Sequence, residues 1–188
     1  MLNVMQSYNF HTVIFRHLLA CAAFAAVFPF AVHAQTFTNE QFHCRITIPG
    51  NSWYEDTTAE RQMKEQYNFA WAFRSIDQRR VMVFGVIKID AADTLDEEVV
   101  EQFVGQARRR GGIIIDTGYT ALGGKKAFHF MLAKAPVKKN PPTYNVITLM
   151  DGYGYQFMIL TADGRPSADD QIAAILNSFE FTPPAKRH

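Results

Sequence analysis

One amphipathic helix, predicted over Thr94–Gly112, constrains the fold of this 188-residue chain more than any other segment. Its apolar residues recur at spacings of three to five and therefore share one face of the helix. They are Leu95, Val99, Val100, Phe103, Val104 and Ala107. Thr94 and Glu97 form a capping-box pattern at the start, and Gly111 and Gly112 favour a helix end. Because strand-like segments lie on both sides of the helix, its apolar face is expected to cover a β-sheet.

Charged residues at the two ends of this helix complement its dipole. Asp96, Glu97 and Glu98 lie near the start, and Arg108–Arg110 lie near the end. We interpret the three arginines as a solvated helix end. A site for an anionic partner is the alternative that the sequence leaves open.

Short segments of alternating or continuous apolar character predict the strands. They are Gln41–Ile48, Asn68–Ser75, Val81–Ile89, Ile113–Asp116, Ala127–Lys134, Thr143–Met150, Tyr155–Thr161 and a short edge strand at Phe179–Phe181. Thr58–Gln66 is expected to be a short helix or an exposed loop, and Gly118 a bulge or bend. A final helix carries Ile172, Ile175, Leu176 and Phe179 on one face, with Ser167 as its cap.

Tight turns between consecutive strands define the fold class. The predicted turns are Asp77–Arg80, Gly123–Lys126 and Asp151–Gly154. Strands joined in this way pair antiparallel, so we predict an α+β fold with an antiparallel sheet of about six to seven strands and helices packed on it. Residues 35–182 are expected to form one domain, and residues 183–188 a frayed tail.

The first 34 residues have the pattern of a cleavable signal peptide. Arg16 precedes the apolar run Leu18–Val32, and Val32-His33-Ala34 supplies small residues at a cleavage site. A periplasmic or secreted protein is therefore expected, with no stable membrane anchor after cleavage. A membrane anchor and lipidation at Cys21 are the alternatives. Without the leader the chain keeps one cysteine, Cys44, which its strand pattern predicts to be buried.

The charge balance excludes bulk nucleic-acid binding. Arg16 is the only charged residue of the leader, so without it the 19 basic residues become 18, equal to the 18 acidic residues. A neutral domain does not neutralise many phosphates.

Catalytic and metal-binding patterns are absent from the sequence. His43, His129 and His188 are far apart, without the spacing of a metal site. There is no nucleophile elbow and no phosphate-binding loop. Cys44 and His43 are adjacent on a strand and point to opposite faces. We therefore predict no catalytic, cofactor or metal site.

Two surfaces are candidates for contact with another protein. The first combines the Pro-rich loop Ala135–Pro142 with the following hairpin, because tyrosine and proline lose little entropy on binding. Its residues are Lys138, Lys139, Pro141, Tyr153 and Tyr155. The second is Trp53 with Tyr54, for which packing in the core is the favoured interpretation.

Four short motifs, in this order, resemble the PsbP/Mog-like α/β/α sandwich family, including its exported bacterial DcrB- and LpqN-like members. They are Ile48–Trp53 (IPGNSW), Thr94–Glu97 (TLDE), Gly123–Phe128 (GGKKAF) and Ile175–Phe181 (ILNSFEF). The resemblance covers roughly residues 37–182. It implies the sandwich fold and an accessory, binding or chaperone-like role without shared catalytic residues.

Three functions follow as hypotheses. The first is an exported, non-enzymatic accessory or protein-binding module of the cell envelope, with a possible envelope protein as partner. The second is a carrier of a small ligand or lipophile in a cleft between sheet and helices. The third is a hydrolase using dispersed carboxylates from Asp90, Asp93, Asp116 or Asp151.

Overall fold

The computed structural model describes residues 34–89, 94–134, 142–164 and 166–183. The strands are β1 (Gln35–Asn39), β2 (Cys44–Ile48), β3 (Trp53–Glu55), β4 (Phe69–Ser75), β5 (Arg80–Lys88), β6 (Gly112–Leu122), β7 (Lys125–Lys134), β8 (Thr143–Met150), β9 (Tyr153–Thr161) and β10 (Glu180–Phe181). The helices are α1 (Thr57–Met63), α2 (Glu97–Arg109) and α3 (Asp170–Ser178). Short 3-10 turns lie at Gly50–Ser52 and Pro166–Ala168. The predicted leader before residue 34 and the end of the predicted tail lie outside the described residues.

The strands form two sheets rather than the single sheet predicted. Seven strands pair in the order β3-β4-β5-β9-β8-β7-β6, and three pair in the order β1-β2-β10. Every pair is antiparallel, as predicted. Two-residue turns with positive φ at both positions, Gly123-Gly124 and Asp151-Gly152, connect β6 to β7 and β8 to β9. Turns of this kind match the twist of the strands that they join.

The front face of the large sheet, defined here as the face that carries Phe84, holds an aromatic core. The Phe84 ring lies 4.9 Å from Phe157, 5.5 Å from Phe179 and 5.8 Å from Trp71 between centroids. The three-stranded sheet packs here through Cys44, Ile46 and Ile48 of β2, together with Phe42 from the turn between β1 and β2. Helix α3 adds Ile172 and Ile175 to the same core, as its predicted stripe indicated.

The opposite face of the large sheet, the back face, is partly covered by α2. Four residues of the predicted stripe are buried there, and they are Leu95, Val99, Val100 and Val104. They pack on Phe128, Phe130, Ile147 and Leu149 of β7 and β8. The layers are therefore α2, the seven-stranded sheet, and then α3 with the small sheet. The predicted α+β sandwich is confirmed.

Helix capping differs from the prediction at both helices. The Asp96 carboxylate accepts from the Val99 backbone N–H at 3.0 Å, so Asp96, not Thr94, caps α2. Asp169, not Ser167, caps α3 by accepting from the Gln171 and Ile172 N–H groups. In each case the cap is the residue immediately before the first helical residue, where a carboxylate reaches the free N–H groups.

Two features of the strands were also wrong in the prediction. Strand β2 begins only at Cys44, because His43 adopts a φ of 48° in the turn that follows the unpredicted strand β1. The bulge in β6 lies between Ile114 and Asp116 rather than at Gly118. Gly118 is needed for a different reason, since a Cβ there would lie 2.7 Å from Cε1 of His129.

Candidate functional site

A cleft of about 570 Å³ opens on the back face beside α2. Helix α2 packs over β7 and β8, and the cleft lies beside it over neighbouring residues of β5 and β9. Seven apolar residues line the cleft, namely Met63, Ile87, Phe103, Ala107, Phe130, Leu132 and Met158. Met63 at the end of α1 and Tyr67 in the segment that leads to β4 form the wall opposite α2.

This wall is fixed to the sheet at both ends. At the start of α1 the Asp56 carboxylate accepts from the Ala59 N–H at 3.0 Å and pairs with Arg74 of β4 at 2.7 Å. These contacts, the Ala59 hydrogen bond first, lower the pKa of Asp56. At the other end the Asn68 N–H donates to the Val86 carbonyl at 2.9 Å. Tyr67 is thereby held over the sheet.

A chain of polar side chains crosses the floor of the cleft. The Tyr67 hydroxyl donates to Gln156 Oε1 at 2.9 Å, and Gln156 Nε2 donates to Asn145 Oδ1 at 3.1 Å. Asn145 Nδ2 donates to the Thr143 carbonyl at 3.1 Å. Asn145 is only 3% exposed. Each amide nitrogen carries a second N–H that these bonds do not use, so the floor has donors to offer a ligand.

The position of Tyr67 depends on a glycine beneath it. A Cβ added at Gly85 would lie 2.4 Å from Cδ1 of the Tyr67 ring, so only glycine allows the ring to lie on the sheet. Burial raises the pKa of Tyr67 to about 12, and the nearby positive charge of Arg110 opposes this rise. The phenol is therefore protonated at neutral pH and acts as a donor.

The cleft continues along α2 into a second cavity of about 280 Å³. Ile87, Phe103 and Gln106 line both spaces. The second cavity extends to Val99 near the start of the helix and to Ile89 at the end of β5. The two cavities therefore form one groove along the flank of α2.

No protein-family model matches this sequence, and no curated protein sequence matches it. Solved structures do match its fold. One is the solution structure of the cyanobacterial PsbP protein CyanoP from Synechocystis sp. PCC 6803, with a TM-score of 0.56 and 14% identity. The match covers 82% of this chain and 95% of CyanoP.

A second match is the crystal structure of LpqN, which is involved in cell envelope biogenesis of Mycobacterium tuberculosis. Its TM-score is 0.51 and its identity 16%, over 80% of this chain and 92% of LpqN. The chain has a PsbP-like fold. The resemblance inferred from the four sequence motifs is confirmed for the fold.

The PsbP-like domain places its predicted contact residues in different environments. Lys138, Lys139 and Pro141 lie outside the described residues, so a contact surface there stays a prediction. Tyr153 is half-buried, with its ring centroid 5.3 Å from that of Phe42. These residues do not come together as one exposed surface in the described part of the chain.

Tyr155 was wrongly predicted as a contact residue. It is 2% exposed, and its hydroxyl donates to the Phe42 carbonyl at 3.0 Å. The hairpin turn is only Asp151-Gly152, so Tyr155 belongs to β9 and points to the front face. The small sheet of the PsbP-like domain covers that face.

The two residues of the second predicted surface lie in different environments, Trp53 in the core and Tyr54 at the surface. Trp53 is 5% exposed, and its Nε1 donates to Gln171 Oε1 at 3.1 Å. The favoured interpretation of core packing is therefore confirmed for Trp53. Tyr54 is 41% exposed and accepts a hydrogen bond from Gln78 Nε2 at 2.9 Å.

The dispersed carboxylates do not form a pair in the described residues. Asp90 and Asp93 lie outside them. Asp116 pairs in register with Met131 of β7, whereas Asp151 follows the far end of β8, about 20 Å away along the strands. The described residues also contain no group of three or more His, Cys, Asp or Glu side chains placed to hold a metal ion. No described helix is long and apolar enough to cross a membrane.

Among the residues that line the cleft, Arg110 belongs to the arginine run that the sequence left open as a site for an anionic partner, and the others were not predicted as site residues. The signal available in the sequence is Asn145, a polar residue with two amide hydrogens in the otherwise mostly apolar strand Thr143–Met150. Tyr67 carried no such signal, because its role depends on Gly85 and Gln156, which are distant in the sequence.

The thiol of Cys44 is fully buried, as predicted, and this burial makes stability depend on alkaline pH. Burial raises the pKa of Cys44 from 9.0 to about 12. A raised folded-state pKa gives stability that is complete below about pH 9 and is lost as the pH rises toward 12. The free energy of unfolding should fall in both wild type and Cys44→Ala between about pH 8 and pH 11. We expect this fall to be about 2 kcal/mol smaller in Cys44→Ala, which lacks the thiol.

Urea denaturation of both proteins at the two pH values measures this difference. Burial also raises the pKa of Tyr67, which contributes equally in both proteins. Burial first and the Cys44 thiol second raise the pKa of Tyr155, so the comparison reports the thiol together with its effect on Tyr155. Equal losses in wild type and variant would mean that the thiol is not desolvated by folding.

Proposed function

We propose that this chain is a non-enzymatic accessory protein of the cell envelope that binds a small, largely apolar molecule in the cleft beside α2. The observation that carries the proposal is the cleft itself, whose lining combines seven apolar residues with a hydrogen-bonded chain of polar side chains. Sites for small molecules commonly have this composition, because apolar walls supply affinity and a few polar groups fix orientation.

The size of the cleft supports a ligand of small-molecule dimensions. Its volume of about 570 Å³ falls inside the range of roughly 300–1000 Å³ that such sites occupy. A packing defect in a core is far smaller, since interiors are close-packed. Asn145 is buried, and one of its amide N–H groups makes no hydrogen bond within the protein. A ligand in the cleft can accept a hydrogen bond from this group.

The export part of the proposal is supported by the leader pattern and by the fold. Residues 1–34 have the three-part form of a signal peptide. The chain shares its fold with LpqN, a protein of cell envelope biogenesis. Both observations agree with an envelope location.

The non-enzymatic part is supported by the state of the residues that chemistry would need. Cys44 is buried with a raised pKa, which makes its thiol a poor nucleophile. Asp116 and Asp151 lie far apart along the sheet. A protein partner at Lys138, Lys139 and Pro141 stays a prediction beside the cleft.

Filling the cleft tests the proposed function. Ala107 lies half-buried on α2 and lines the cleft, so Ala107→Phe places a ring in the ligand's space. We expect the variant to bind a neutral naphthylamine dye at least about tenfold more weakly than wild type. Fluorescence titration of the purified proteins measures the affinities.

The matched control is Ala174→Phe on the exposed side of α3, which should bind the dye like wild type. Thermal unfolding confirms that both variants are folded. Equal dye affinity in wild type and Ala107→Phe, or no dye binding at all, would contradict ligand binding in the cleft.

A further inference from the structure

We propose that the ligand of the cleft is a single-chain amphiphile with a carboxylate head, bound with the head near Tyr67 and Arg110 and the tail along α2 toward Val99. This inference rests on the proposed function and adds the charge, shape and orientation of the ligand. Its basis is the distribution of charged residues around the groove, the unused donors on its floor and the line of apolar residues along α2.

The groove is more positive than the chain as a whole. The end of α2 contributes two cations to the lining of its two cavities, Arg109 and Arg110, against one anion, Glu65. The whole chain has nearly equal numbers of basic and acidic residues. The groove therefore concentrates positive charge that the composition does not show, and positive charge at a partly buried site favours an anionic ligand.

Arg110 is placed to receive the head group. It lines the first cavity, and its positive charge acts on the Tyr67 phenol. Arg108, two residues earlier, pairs with Glu101 at 3.1 Å, whereas Arg110 makes no ion pair with another described residue. A guanidinium without a carboxylate partner matches a carboxylate in geometry, since it can donate two parallel hydrogen bonds.

The polar floor supplies further donors next to Arg110. Tyr67, Gln156 and Asn145 are connected by hydrogen bonds and line the same cavity. The second N–H of each amide can donate a hydrogen bond to a carboxylate oxygen. A buried carboxylate requires such donors, because desolvation without them costs several kcal/mol.

Two features oppose an anion at this position. Glu65 lines the same cavity, and the C-terminal end of α2 presents carbonyl oxygens. Glu65 is exposed to solvent, which screens its charge. Arg109 and Arg110 lie on that helix end and oppose its negative potential. The balance at the groove therefore remains positive.

The shape of the groove favours one extended chain over a bulky ligand. The two cavities follow α2 from Arg110 to Val99, which is about 16 Å along the helix axis. Phe103 and Ile87 line both cavities and connect them. An alkyl tail along this line buries apolar surface over its whole length while the head stays at the polar end.

Displacement of the neutral dye by dodecanoate and by dodecanol tests the head group. We expect dodecanoate to displace the dye from the purified protein at about tenfold lower concentration than dodecanol, after correction for micelle formation. Arg110→Gln should remove this preference, so that dodecanoate and dodecanol displace the dye from this variant at similar concentrations. Arg108→Gln, at the same helix end but paired with Glu101 and outside both cavities, should keep the preference.

Chain length tests the path of the tail. From octanoate to dodecanoate the affinity should rise by up to about fourfold for each methylene, because each one is buried in the groove. An affinity independent of chain length would overturn the path along α2.

The outcomes separate this inference from the proposed function. Equal displacement by dodecanoate and dodecanol, or a preference that survives in Arg110→Gln, would overturn the carboxylate head while ligand binding in the cleft stands. Failure of the dye to bind, or dye binding that Ala107→Phe does not weaken, would instead overturn the proposed function.

Discussion

Replacing Phe84 by alanine is expected to lower the free energy of unfolding by about 3–5 kcal/mol. Phe84 has no exposed surface and lies at the centre of the front-face core, with rings of Trp71, Phe157 and Phe179 around it. Removing the ring leaves a cavity, and the β-strands on both sides cannot move in to fill it. Since domains of this size are stable by about 5–15 kcal/mol, the variant should lose a large part of its stability.

Urea denaturation followed by tryptophan fluorescence measures this loss. Phe69→Ala on the neighbouring strand β4 is the matched control, because Phe69 is only partly buried at the margin of the same core. We expect it to cost roughly half as much. A loss below about 1 kcal/mol for Phe84→Ala would contradict the packing of the small sheet and α3 on the front face.

Replacing Gly85 by alanine is expected to disrupt the cleft and to lower stability by about 1–3 kcal/mol. The new Cβ would lie 2.4 Å from the Tyr67 ring, a distance that side chains do not tolerate, so the ring must leave the sheet. The hydrogen bond from the Tyr67 hydroxyl to Gln156 is then lost. Dye binding in the cleft should fall together with stability.

A double-mutant cycle identifies Tyr67 as the cause. Tyr67→Ala removes the ring that the Cβ meets, so adding Gly85→Ala to this variant should cost close to nothing. Denaturation of the four proteins gives the coupling energy between the two sites. If Gly85→Ala is equally destabilising with and without Tyr67, the contact between the ring and the sheet is not as described.

Phe84 and Gly85 are consecutive residues of β5 that face opposite sides of the large sheet. Successive residues of a strand point to opposite faces, so Phe84 belongs to the core and Gly85 to the cleft. The two expected results therefore differ in kind. Phe84→Ala should weaken the whole domain, whereas Gly85→Ala should act mainly on the ligand site.

The strand and helix predictions succeeded where the pattern was local. The stripe of α2, the strands β4, β5, β7, β8 and β9 and the positions of the hairpin turns all depend on residues within about ten positions of each other. Errors occurred where a distant segment decided the outcome. Strand β1 pairs only with β2, and β2 also pairs with β10 at the far end of the chain, so neither local pattern indicated a second sheet.

The predictions about individual residues also succeeded where the pattern was local and failed where a distant segment decided the outcome. Burial of Cys44 followed from alternation along one strand, and the structure confirms it. Tyr155 was expected at the surface because it lies beside a predicted hairpin turn, but it belongs to β9, which the small sheet covers. The segment that covers Tyr155 includes Phe42, which lies more than a hundred positions away in the sequence.

The sequence by itself determined the class of fold, the antiparallel pairing, the face of α2 that is buried and the absence of familiar catalytic motifs. Hydrophobic periodicity and turn residues act over short distances, so these properties can be read from the order of residues. Only the tertiary structure decided that there are two sheets, that Tyr67 lies on Gly85 and that a groove follows α2. Each of these depends on which surfaces meet and which surface remains uncovered, and packing settles that between segments far apart in the chain.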